Sequence, residues 1–156
     1  MVNAVAAAAA LVELPKSFRR DIVVTSLLHS AAILYPMSDS TAYSGTSGVY
    51  TALVTPRRPG TVNIDLGASL EIVDFLVQAK VNGLVAMGST GEFTHFDSEE
   101  RTRFASMVIK RSRVPVLVNV THSSLRGSIL QAQAAIDAGA KGVVLMPPFF
   151  FRYQQA

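Results

Sequence analysis

The chain has 156 residues, too few for a closed eight-stranded α/β barrel, which needs roughly 200 or more. Apolar residues make up 49% and charged residues 16%, a balance that excludes intrinsic disorder, which needs low hydrophobicity and high charge. Its 14 Lys and Arg against 11 Asp and Glu leave a surplus of +3. The densest basic run, Lys110 to Arg113, falls at a predicted helix end, where cations are favourable in any case. Nucleic-acid binding is therefore not expected. The chain has no cysteine, which excludes disulfides, zinc-thiolate sites, iron–sulfur clusters and cysteine nucleophiles within it, and which fits a reducing cytoplasm.

Residues 1 to 48 read as a leader. An alanine-rich stretch, Ala4 to Ala10, is followed by Arg19 and Arg20 and then by an apolar run from Ile22 to Tyr35. That run is shorter than the about 20 residues of a spanning helix, so no membrane anchor is expected. The charges come too late for a secretory signal. Met37 reads as the natural start, residues 1 to 36 as upstream sequence with no role in the fold, and Ser44 to Gly48 as a flexible joint.

From Val49 the chain becomes regular. Apolar runs occur at Val49 to Val54, Leu84 to Met87, Val116 to Val120 and Val143 to Met146. Their near-continuous apolar character is that of strands buried on both faces of a parallel sheet. Helical segments separate them. Asp65 can cap a helix carrying Leu66, Leu70, Val73 and Val77; Asp97 with Glu100 reads as a capping box before Phe104, Val108 and Ile109. Ser124 can cap a third helix carrying Ile129, Leu130, Ala134 and Ile136, ended by Gly139. Strand starts recur about every thirty residues, the size of one βα unit. The pattern predicts an α/β fold with right-handed crossovers, whose inner side chains and outer strand edges lack partners in so short a chain.

Ligands in such folds bind at the carboxyl ends of the strands. Four loops lie there: Pro56-Arg57-Arg58, Gly88 to Phe93, Asn119 to His122, and Pro147 to Tyr153. In the second, Gly88 and Gly91 bracket Ser89 and Thr90. Glycine allows positive φ and close backbone approach, and successive backbone N–H groups with two hydroxyls suit a carboxylate or a phosphate.

The segment Gly88-Ser-Thr-Gly-Glu-Phe93 resembles the carboxylate-binding motif of the dihydrodipicolinate synthase / N-acetylneuraminate lyase family. Gly48 to Pro56, Val114 to Val120 and Ala138 to Pro148 resemble the same family in order and spacing. The resemblance covers about residues 48 to 156. It implies a class I aldolase-type lyase on a (β/α)8 TIM barrel, present here as a half barrel of about four βα units over residues 49–156. It implies a small 2-oxo acid substrate such as pyruvate, held as a Schiff base on a lysine of the sixth strand, with no cofactor and no metal. It further implies a homo-oligomer for the full-length family. By the same resemblance Ser89 is a catalytic hydroxyl in a proton relay, and Gly88, Ser89, Thr90 and Gly91 bind the substrate carboxylate. The family's tyrosine pair falls on Phe149 and Phe150. Phe150 lacks the relay hydroxyl that the second tyrosine supplies across a subunit interface. Phe149, Phe150 and Tyr153 are candidate pocket or interface residues.

The family's lysine is expected beyond residue 156, which makes this chain the inactive N-terminal half of an enzyme. Lys80 and Lys110 read as helical, Lys141 precedes the fourth strand, and Lys16 lies in the leader. None is placed where desolvation or a cationic neighbour in a pocket would activate it. His95, Glu92 and His122 lie near predicted strand ends and could hold a metal, as in a metal-dependent aldolase. The simpler expectation is that these loop histidines contact backbone. A third alternative is a non-catalytic half barrel that binds a small carboxylate or associates with another subunit.

Overall fold

A computed structural model describes residues 22–28, 31–34 and 48–146. The strands are β1 (Ile22–Leu28), β2 (Ala31–Leu34), β3 (Tyr50–Ala52), β4 (Gly83–Ala86), β5 (Val116–Asn119) and β6 (Gly142–Leu145). The helices are α1 (Leu66–Gln78), α2 (Ser98–Arg111) and α3 (Leu125–Asp137), with a short 3-10 turn at Phe93–His95.

Each helix begins where a side chain can occupy an orphan backbone donor. The Asp65 carboxylate accepts from Ala68 N at 3.0 Å. Asp97 accepts from Glu100 N at 2.8 Å while Glu100 accepts from Asp97 N at 3.1 Å, closing the capping box. Ser124 Oγ accepts from Gly127 N at 3.1 Å. At the far end of α3, Gly139 turns left-handed at φ 97°. Its N–H and that of Ala140 reach back to the Ile136 and Ala135 carbonyls and end the helix.

The sheet order is β2-β1-β6-β5-β4-β3. Strands β3, β4, β5 and β6 are parallel neighbours in chain order, with registers such as Leu84↔Val116 and Val118↔Val143. Alternation along the strands sends Leu84, Ala86, Val116, Val118, Val143 and Leu145 toward the helices. There they form one core with Val73 of α1, Phe104 and Val108 of α2, and Ala132 and Ala135 of α3. The same alternation directs Val85, Leu117 and Val144 to the opposite face, the interior of a closed barrel. Helix α3 meets the core through Ser128, Gln131, Ala132 and Ala135, whereas Leu130, on its outer side, is 59% exposed. Arg111 of α2 donates to Asp74 of α1 at 2.8 Å, and its guanidinium holds that carboxyl below its ordinary value. Both side chains are solvated, so the pair adds little to stability.

One finding corrects the sequence reading. Lys80 lies past the end of α1, in a left-handed turn at φ 60°, rather than within the helix. Two strands fall in the segment read as a leader. β1 runs parallel to β6, with Ile22↔Val143 and Val24↔Leu145, and β2 returns antiparallel to β1. A β-branched run such as Ile22-Val23-Val24 suits pairing, and an open edge offers unpaired N–H and C=O groups to any such run. The β6 edge is therefore occupied by β1.

Asp97→Ala removes the cap of α2 and half of the capping box. It should lower stability by about 1 kcal/mol, within the 0.5–2 kcal/mol span of such losses, as measured by urea unfolding with an unchanged m-value.

Candidate functional site

The carboxyl ends of β3 to β6 lie along one edge of the sheet, and the Gly88 to Glu92 loop leaves it from β4. A backbone bond from Glu92 N to Ser89 O at 3.0 Å closes the turn. The N–H groups of Ser89, Thr90 and Gly91 have no protein acceptor among the described residues. Ser89 and Thr90 are exposed. Three adjacent N–H groups without an acceptor and two hydroxyls thus stand together at a strand end.

The loop is clamped from both flanks. On the β3 side, buried Thr55 donates its hydroxyl to Gly91 O at 2.8 Å. Arg57 pairs with Glu92 at 3.0 Å and lies over the Phe96 ring at 4.9 Å. On the β5 side, Asn119 Nδ2 donates to Met87 O at 2.7 Å. Ser89 Oγ lies 3.8 Å from Met146 Sδ, so the loop leans toward the end of β6.

The left-handed positions of this turn are not its glycines. Met87 at φ 56° and Glu92 at φ 53° bracket it, whereas Gly88 and Gly91 keep ordinary φ. Gly91 is required instead by close approach. A Cβ there would lie 3.0 Å from Leu53 O and 3.2 Å from Met87 Cα. At Gly88 the nearest neighbour of a Cβ is Val85 Cγ1, at 3.9 Å.

Beneath the β5 end lies a group that the sequence reading missed. Arg101 of α2 is 5% exposed and donates to Thr121 O and Asn119 O, each at 2.9 Å. Its guanidinium sits 5.0 Å from the Phe93 ring centroid, and its Nε is buried without a hydrogen-bond partner. Burial lowers its pKa to about 10, so it stays cationic at neutral pH. The signal was available: Arg101 shares the i, i+3, i+7 stripe of Phe104 and Val108.

The remaining candidates separate. His122 Nδ1 accepts from Ser124 N at 3.0 Å, and its ring occupies the space beside Gly127, so it serves the start of α3. Among the described residues no three His, Asp or Glu side chains gather to hold a metal, so His95, Glu92 and His122 form no such cluster. Phe149, Phe150 and Tyr153 lie outside the described residues. No helix among the described residues is long and apolar enough to cross a membrane.

Parallel strands in chain order with helices on one face, and an amide-lined turn at the strand ends, define part of a (β/α)8 barrel. The chain belongs to the Dihydrodipicolinate synthetase family, whose profile matches residues 45–156. It is 35% identical over 111 residues to the 4-hydroxy-tetrahydrodipicolinate synthase of Sorangium cellulosum, covering 70% of this chain and 37% of that protein. It is 34% identical over 112 residues to the L-threo-3-deoxy-hexylosonate aldolase of Aspergillus niger, covering 68% and 33%. Among solved structures it is similar to YagE of E. coli K12, a prophage protein of the dihydrodipicolinic acid synthase family in complex with pyruvate. The TM-score is 0.65 at 31% identity, over 69% of this chain and 36% of that one. The 2-keto 3-deoxygluconate aldolase of Picrophilus torridus gives a TM-score of 0.66 at 31% identity, covering 69% and 39%. The chain thus spans about a third of the length of the curated relatives it matches.

Gly91→Ala should cost about 1–3 kcal/mol, because the added methyl meets backbone that cannot move aside. Gly88→Ala should leave stability nearly unchanged. Thermal unfolding of the two variants side by side checks the contrast.

Proposed function

We propose that residues 49–156 supply the carboxylate-binding part of a class I, Schiff-base aldolase acting on pyruvate or a related 2-oxo acid. The carrying observation is the row of free N–H groups at Ser89, Thr90 and Gly91, clamped at the strand ends. In this reading Gly88 to Gly91 hold the substrate carboxylate. The Ser89 hydroxyl relays protons toward the loop after β6, the direction in which it faces Met146. The pyruvate bound in the related E. coli protein supports the choice of a 2-oxo acid over a phosphate. No cofactor is invoked, because the amine of a lysine would itself act as the electron sink once condensed with the ketone.

Among the described residues no lysine stands at the carboxyl end of a strand. Lys110 lies within α2, Lys80 in the turn after α1, and Lys141 just before β6, at the end of the sheet opposite the loop. That placement favours, as a second reading, a carboxylate-binding half barrel without catalysis of its own. The cysteine-free composition suits the cytoplasm, and the β3 edge, unpaired among the described residues, suits association with further strands.

In a pyruvate titration of the labelled chain, the amides of Ser89, Thr90 and Gly91 should shift together. The dissociation constant should be on the order of 1 mM or weaker, since a few charge-assisted bonds open to water contribute little more. Shifts confined to other loops would refute the site. Borohydride added with pyruvate should trap no lysine adduct. A stoichiometric adduct on one lysine would overturn the second reading and relocate the active site.

A further inference from the structure

The turn that carries the free amides begins at a strained residue. Met87 is fully buried and left-handed, a conformation that a non-glycine residue holds only when its surroundings impose it. Its carbonyl accepts from one side chain, Asn119, at 2.7 Å. We propose that Asn119 is a positioning residue of the carboxylate loop: its amide holds Met87 in the left-handed turn and so aims the N–H groups of Ser89, Thr90 and Gly91.

The amide can do this because its own orientation is determined. Thr121 N lies 3.3 Å from Asn119 Oδ1, and a backbone N–H can only donate. The oxygen therefore faces Thr121 and the nitrogen faces Met87. Thr121 Oγ1 accepts from Met146 N at 2.8 Å, which directs its own proton to Asn119 Oδ1 at 2.6 Å. Arg101 binds the carbonyls of both Asn119 and Thr121, fixing the backbone from which the two side chains project. Asn119 and Thr121 are each 1% exposed, so no solvent competes for these bonds. The circuit runs from the end of β4 through β5 to β6, and Met146 returns it to Ser89.

The inference rests on the carboxylate-binding reading of the loop for its purpose, but not for its geometry. The test uses the full chain, isotopically labelled, with Thr121→Val, Thr121→Ser and Asn119→Asp. Three quantities are read: the Met87 carbonyl carbon shift, the pyruvate dissociation constant from the Ser89 to Gly91 amides, and the unfolding midpoint. Thr121→Val should move the Met87 signal and weaken pyruvate binding about tenfold, the equivalent of one neutral hydrogen bond. Thr121→Ser, which keeps the hydroxyl, should restore both. Asn119→Asp keeps the shape, exchanges the donor for an acceptor, and should move the Met87 signal further. It also serves if Thr121→Val does not fold. A folded variant with a lowered midpoint but the parent's Met87 shift and pyruvate affinity would overturn the proposal, leaving Asn119 a purely structural residue. If the parent itself binds no pyruvate, the functional reading fails, and the Met87 signal alone decides whether Asn119 governs the loop.

Discussion

The loop at the end of β4 is tied to one buried amide. Asn119 sits at the end of β5 with its nitrogen on Met87 O and its oxygen on Thr121. Burying such a group is costly unless its bonds are made, and a satisfied network in a low dielectric is correspondingly rigid. Here it joins three consecutive strand ends at a single point. The loop after β4 owes its path to that junction on one side and to Thr55 on the other. Among the described residues, the N–H groups of Ser89, Thr90 and Gly91 between the two clamps have no acceptor.

The cation behind this junction has an uncommon environment. Among the described residues Arg101 has no carboxylate partner; it is held by two carbonyls and an aromatic face. A buried charge compensated only by dipoles favours its neutral form, which is the sense of its lowered pKa. It persists because the carbonyls at the end of β5, past the last ladder bonds, need donors in their turn. One residue thus satisfies two acceptors that the strand itself leaves open.

The sheet has a similar economy at its edge. A run of four parallel strands must end somewhere, and the end at β6 is covered by β1 rather than exposed. The backbone hydrogen bonds that a following strand would make are made by a segment from the far side of the sequence. On the helix face the core is closed by Phe104, Val73 and their neighbours, while the opposite face carries Val85, Leu117 and Val144, with the Tyr50 ring lying over Gly83.

Much of this was legible residue by residue. The caps at Asp65, Asp97 and Ser124, the stop at Gly139 and the four apolar runs are local signals, because a cap or a pleat needs only its near neighbours in the chain. The Gly88 to Gly91 loop could be singled out for the same reason: its chemistry lies in its own backbone. Only the tertiary structure shows that Met87 and Glu92, not the glycines, take the left-handed conformation, and Asn119 and Arg57 bond to them from other units. Tertiary contacts alone gave Arg101, which helical spacing already sets on the buried stripe, its two carbonyl partners, and brought Ile22–Leu28 to the edge of β6. Local sequence determines which elements form and which groups are left unpaired. Where those groups find their partners depends on which strand ends the fold sets side by side.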